Sequence, residues 1–190
     1  MGIESIIRKI GMFAAAGLAA LTASCMPLRK QYVEPRLGLA APMAEEQEEY
    51  DASFMIGAVY GKSGRPKGIP KDKLGLEASL DYFKSSAEYI ETNSFLLRGN
   101  ATYPMGSLTP HSAAYLTGGL AFLCEFSDIY IPPPFDVHDE KSDITLGLEI
   151  GANMRFDTKE IEDVSVRFSY IKLFSDNVNG MLVLTGGYRF

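Results

Sequence analysis

From about residue 31 onward the sequence alternates apolar and polar residues with a period of two, in eight separate segments, and no helical period interrupts them. The segments are roughly 31–42, 53–62, 73–84, 94–105, 112–126, 143–156, 163–174 and 179–190. Each is close to the roughly 9–11 residues that a tilted strand needs to cross a bilayer, or somewhat longer. The first is the weakest, because Pro35 and Pro42 belong only at edges or bulges of a sheet. It completes an even number of strands, which a single-chain bacterial barrel requires.

Strand parity sorts the side chains onto two faces. One carries Leu37, Leu39, Phe54, Ile56, Leu76, Leu80, Phe95, Leu97, Leu116, Leu120, Phe122, Ile144, Leu146, Leu148, Ile150, Val166, Phe168, Leu182 and Leu184, with no charge in the central part of any strand. The other carries Glu34, Arg36, Glu77, Asp81, Arg98, Asn100, Glu125, Glu149, Arg155, Arg167 and Arg189, with Gly, Ser and Thr between them.

Alternation alone does not say which face is inside, because a soluble lipocalin-like barrel puts its apolar face inward. Two features point to the inverted arrangement. The polar face uses Arg, carboxylates and small residues but essentially no Lys, which suits the crowded lumen of an eight-stranded barrel. Charges buried there must pair, and the planar fork of Arg is the better partner for a carboxylate. The apolar face also ends in aromatic residues: Phe54, Tyr82, Phe95, Phe126 and Phe174 on one rim, Tyr60, Tyr103, Phe156, Tyr188 and Phe190 on the other. Two such girdles mark membrane–water interfaces.

The chain of 190 residues is one domain's worth, and its 46% hydrophobic content fits a soluble globule equally well. No run of 18 or more apolar residues marks a helical span. A net charge of -6 argues against nucleic acid as a partner. The two cysteines form neither a CxxC motif nor a Cys/His cluster, so no metal, no cofactor and no disulfide framework is expected.

Arg8 and Lys9, the apolar stretch Ile10–Ala23 and the small residues Ala23 and Ser24 have the three-part layout of a secretory signal, here 1–24, followed by a short linker, 25–30, and the barrel, 31–190. Leu21-Thr22-Ala23-Ser24-Cys25 resembles a bacterial lipobox with Leu21 one place early. Lipidation of Cys25 and ordinary cleavage near Ala23 or Ser24 both remain open.

The last segment ends in Gly186-Gly187-Tyr188-Arg189-Phe190, which resembles the C-terminal signature of bacterial outer-membrane proteins. Leu74-Gly75-Leu76-Glu77-Ala78, Tyr115-Leu116-Thr117-Gly118-Gly119-Leu120 and Leu146-Gly147-Leu148-Glu149-Ile150-Gly151 resemble strands of the OmpA-like small-barrel family, over about 31–190. The resemblance implies an all-β, eight-stranded antiparallel up-and-down transmembrane β-barrel in the bacterial outer membrane. It also implies periplasmic termini, a terminal aromatic read by the barrel assembly machinery, and no catalytic residues. In that orientation 43–52, 85–93, 127–142 and 175–178 become surface loops, and 63–72, 106–111 and 157–162 inner turns.

The expected role is structural or interactive. The barrel is read as a monomer in outer-membrane lipid, with acidic loops (Glu45, Glu46, Glu48, Glu49, Asp51; Asp136, Asp139, Glu140, Asp143) that would draw a surface partner or divalent cations if they are more than a solvated face. The lumen is expected to hold an ion-pair network of Arg36, Arg98, Arg155, Arg167 and Arg189 with Glu77, Asp81, Glu125 and Glu149. Three alternatives stand beside this: a small pore, a lipid-modifying hydrolase, and a soluble exported barrel binding a small ligand. The hydrolase would have only His138-Asp139-Glu140 with Ser127 or Ser142, all in an expected loop that holds catalytic geometry poorly.

Overall fold

A computed structural model describes residues 28–43, 52–64, 74–87, 89–109, 111–133, 137–156, 164–175 and 179–190. The expected signal, Cys25 and most of the first acidic loop lie outside these residues. Eight strands follow one another: β1 (Leu28–Met43), β2 (Ser53–Gly64), β3 (Leu74–Ala87), β4 (Ile90–Thr109), β5 (Ser112–Ile131), β6 (Val137–Phe156), β7 (Val164–Leu173) and β8 (Gly180–Tyr188). Each pairs antiparallel with the next, and β8 returns to β1, so the sheet closes into a barrel with no outer strand left over.

The closing seam runs from Arg36 opposite Gly187 to Met43 opposite Gly180. Below it, Phe190 and Val33 exchange main-chain hydrogen bonds of 2.9 and 3.4 Å. The two prolines of β1 fit because each lies where one flanking ladder is interrupted or over. Pro35 pairs with Ala58 of β2 just below the first β8 pair, and Pro42 pairs with Met181 of β8 beyond the last β2 pair, Ala40–Ser53. A missing N–H therefore leaves no gap in a continuous ladder.

The apolar face points outward. Leu37 is 54% exposed, Phe54 63%, Ile144 66%, Ile150 59% and Phe168 53%, whereas Glu34, Arg36, Glu77, Asp81, Arg98, Glu149 and Arg167 are buried. A soluble barrel has the reverse arrangement. Large side chains on this scale, presented all round a closed sheet, make a surface for hydrocarbon. At one rim Tyr82, Phe95 and Phe126 meet across β3, β4 and β5 in tilted and edge-on contacts with ring centroids 5.2 and 6.1 Å apart, and at the other Tyr188 meets Phe190 at 4.8 Å.

Three expected connections are largely strand. Residues 85–93, 106–111 and 127–142 were expected as loops or turns, but β4, β5 and β6 are each 20 residues long and paired almost to their ends. Register explains this: β5 and β6 stay in step from Ser112–Phe156 to Ile131–Val137, so polar residues beyond the outer girdle extend the ladder into water. At about 3.3 Å per residue these strands span roughly 65 Å, well beyond a bilayer's hydrocarbon core. The β6–β7 ladder stops at Gly147–Leu173, so among the described residues Val137–Thr145 pair with β5 alone.

Leu148, central on β6 and outward, tests the surface. Leu148→Arg should cost about 2–4 kcal/mol in denaturant unfolding from lipid vesicles, as expected for a charge at mid-bilayer depth. A cost near zero would place that face in water.

Candidate functional site

The lumen is where the sequence put its chemistry, and parity delivers those side chains to it from β1, β3, β4, β6 and β7, with Arg189 just past the end of β8. Asp81 of β3 is the hub. It accepts two hydrogen bonds from Arg36 of β1, one from Nε at 2.7 Å and one from Nη2, and a third from Arg98 Nη2 at 2.9 Å. Arg98 then reaches Glu149 of β6 through Nη1 at 2.9 Å, and Asn100 Nδ2 donates to the other Glu149 oxygen at 2.8 Å. This chain crosses the barrel from β1 to β6 with all four charged side chains buried.

A second hub lies nearer the termini. Glu77 accepts from Arg167, from Tyr32 Oη and from Arg155 Nη2, the last at 3.1 Å. The Arg155 guanidinium also lies 4.0 Å from the Tyr115 ring, and that of Arg189 lies 3.4 Å from the Tyr32 ring. Such cation–π contacts let partly desolvated guanidiniums keep a partner while spreading over an aromatic face. Gly61 makes room for this: a Cβ there would strike the Tyr32 ring. Glu34 closes the set, accepting from Ser165 Oγ at 2.7 Å and Arg189 Nη2 at 3.3 Å.

The structure thus brings Arg36, Arg98, Arg155, Arg167 and Arg189 together with Glu77, Asp81 and Glu149. Glu125 does not join. It is half-buried, directly opposite Asp143 on β6, and among the described residues it takes part in none of the ion pairs. Glu34 supplies the fourth carboxylate instead. The reason is a layer that sequence reasoning missed. Ala40, Met55, Phe83, Leu96, Ala121, Leu123, Ile171, Leu173, Met181 and Val183 share the inward parity and form a buried apolar cluster. Where a strand carries both kinds, these residues lie beyond the ion-paired ones, on the side away from the termini. Leu123 and Phe83 therefore separate Glu125 from the arginines. Apolar pairs such as Phe95-Leu96, Phe122-Leu123 and Leu182-Val183 were the available signal, since both faces turn apolar there.

The candidate hydrolase cluster comes apart. His138, Asp139 and Glu140 are consecutive residues of β6, so Asp139 points to the face opposite its neighbours. Ser127 is opposite Lys141, on the face away from His138, and its Oγ is 2.9 Å from Thr92 Oγ1. Ser142 shares the face of His138 but lies four residues along an extended strand, roughly 13 Å away. No nucleophile–base pair forms there. Tyr188 and Phe190, the terminal aromatics, are on the outer face beside the seam.

This architecture has known counterparts. A major outer membrane protein from Thermus thermophilus superposes with a TM-score of 0.58 at 10% identity, covering 85% of this chain and 100% of that one. Neisserial surface protein A follows at 0.54 and 13% identity, covering 84% and 95%. Ail, the attachment invasion locus protein of Yersinia pestis, gives 0.50 at 15% identity, covering 85% and 100%, and has also been solved with the heparin analogue sucrose octasulfate. No family model matches the sequence, and no curated protein matches it. The fold is that of the small outer-membrane β-barrels.

Asp81 offers the sharpest test of the lumen. Asp81→Ala removes the carboxylate that Arg36 pairs with and leaves Arg98 with Glu149 alone, and should cost about 3–5 kcal/mol in the same unfolding assay. A loss below about 1 kcal/mol, typical of exposed pairs, would mean that water reaches both guanidiniums.

Proposed function

We propose that this chain is a non-enzymatic protein of the bacterial outer membrane whose barrel is a solid support and whose working surface is the sheet that rises above it. The closed lumen carries this reading. Eight strands leave an interior that side chains can fill. Here they fill it twice, with an ion-paired layer and an apolar layer stacked along the axis. An ion entering from the termini would meet fixed paired charges and then a dry plug of Met55, Phe83, Leu96 and Leu123. That arrangement favours a structural or surface-interaction role over a pore.

The upper parts of β4, β5 and β6 are the surface on offer. Tyr89, Ile90 and Tyr130 are exposed at its tip, held together by a 2.9 Å hydrogen bond from the Tyr130 N–H to the Tyr89 carbonyl. Exposed Asp139, Glu140 and Asp143 make the β6 side acidic, and the sequence adds Glu45, Glu46, Glu48, Glu49 and Asp51 in the first loop. Ail has been solved with a heparin analogue; the charges here suit a basic partner or divalent cations instead. The signal 1–24, lipidation or cleavage around Cys25, and recognition of Tyr188 and Phe190 by the assembly machinery belong to the same reading, supported by their sequence patterns.

Planar-bilayer recording of the intact protein tests the closed lumen. The expected record is no stable conductance, and Phe83→Ala combined with Leu123→Ala should introduce at most brief openings while the ion-paired layer stays in place. Large, steady channels in the unaltered protein would promote the pore reading.

A further inference from the structure

The outward wall is not uniformly bulky. Across β2 to β5 the outward positions Ala58, Ala78, Gly99, Ala101 and Gly118 are small, and register gathers them: Ala78 is opposite Gly99, and Ala101 is opposite Gly118. Tyr60, Leu80, Leu120 and Phe122 stand around them, and together they form a groove of about 600 Å³ in the outer surface.

The two outward-facing glycines of this groove, Gly99 and Gly118, have no packing reason to be glycine. At the inward-facing Gly57 and Gly119, a Cβ would collide with Asp81 and with Asn100 and the Gly99 carbonyl, so the lumen demands glycine there. At Gly99 a Cβ would meet nothing within 4 Å, and at Gly118 only the Glu149 carbonyl oxygen at 3.6 Å. Glycine weakens a strand interior and is found there at bulges, at tight bends or where something approaches closely; the ladders run without a register shift through Gly99 and Gly118, which leaves close approach from outside.

We propose that this groove seats one acyl chain of a membrane phospholipid, in the leaflet on the terminus side of the barrel. The proposal rests on the membrane reading above. Position sets the leaflet: the groove reaches Val33 and Tyr60, at the level of the terminus-side girdle, and extends toward Phe122. Chemistry sets the ligand. The side chains that point outward here are apolar apart from the Tyr60 hydroxyl at the rim, so hydrocarbon is what the trough can recognise. The groove is also continuous with the lipid-facing belt, so its occupant comes from the bilayer. A second protein would need about 800 Å² of matched surface on each side, and close packing over a broad face, because lipid supplies no hydrophobic drive between proteins. A groove of about 600 Å³ suits one acyl chain rather than a protein face, and the chain gains dispersion contacts along its lining.

The test uses the intact protein in phospholipid nanodiscs doped with a phospholipid bearing a diazirine in one acyl chain. After irradiation, peptide mass spectrometry should find adducts concentrated on the β2–β5 groove relative to the outward residues of β6–β8. Gly99→Leu with Gly118→Leu should reduce groove adducts to the level of the rest of the belt, while the heat-dependent gel shift of a folded barrel persists. If that pair blocks folding, Ala101→Leu, at an exposed outward position, gives the same reading. Adducts spread evenly round the barrel, or a groove signal unchanged by filling, would overturn the proposal. So would a groove free of adducts in a particle that holds two copies of the chain and reverts to one copy when the groove is filled. Absence of the gel shift in the unaltered protein would overturn both this proposal and the membrane reading, a result scored independently of the adduct map.

Discussion

Everything in this structure depends on the backbone finding all its hydrogen bonds within one ring of strands. Hydrocarbon offers no partner to an N–H or C=O group, so a sheet in lipid cannot keep an open edge. The seam between β1 and β8 meets this demand with eight residue pairs and the Val33–Phe190 contacts below them. The ring also fixes side-chain direction. Once the sheet is closed, alternate residues have only two destinations, and each strand's parity decides which side chains meet lipid and which meet one another.

The lumen shows what that division implies for charges. Five arginines enter a space too small for water to solvate them fully, and each is matched by a carboxylate on another strand, with Tyr32 and Tyr115 taking up the guanidiniums nearest the mouth. Asp81 and Glu77 each serve two arginines, so the carboxylates act as junctions between β1, β3, β4, β6 and β7. Such pairs contribute little over an apolar core of equal volume, but losing one member is costly. The apolar layer beside them supplies ordinary burial, and the two layers together make the interior a core rather than a passage.

Much of this was legible in the sequence, and the exceptions have physical causes. The eight strands, their order and the outward direction of residues such as Leu148 and Phe168 followed from period-two parity and from the near absence of Lys on the polar face. Which arginine meets which acid was not legible, because the pairs span strands whose relative register depends on the closure of the ring. Glu125 was assigned to the network on parity alone, and parity says nothing about height along the axis. The apolar layer was overlooked because Met55, Leu96 and Ile171 break the polar pattern only on one end of their strands. The long β4–β5–β6 extension was overlooked for a different reason: beyond the girdle both faces meet water, so 127–131 and 137–142 lie in a stretch with the polar composition of a loop while keeping the pairing of a ladder.

The central claim is that the apolar face meets lipid, and site-directed spin labelling measures that directly. With Cys25→Ser and Cys124→Ser as background, a label at Leu146, Leu148, Ile150 or Phe168 in bilayers should collide freely with oxygen, which concentrates in hydrocarbon, and rarely with a water-soluble nickel chelate. The protection from nickel should be greatest at the central Leu148 and fall toward Phe156. Ready access of nickel to Leu148, or shielding from both reagents as in a packed interior, would contradict the account.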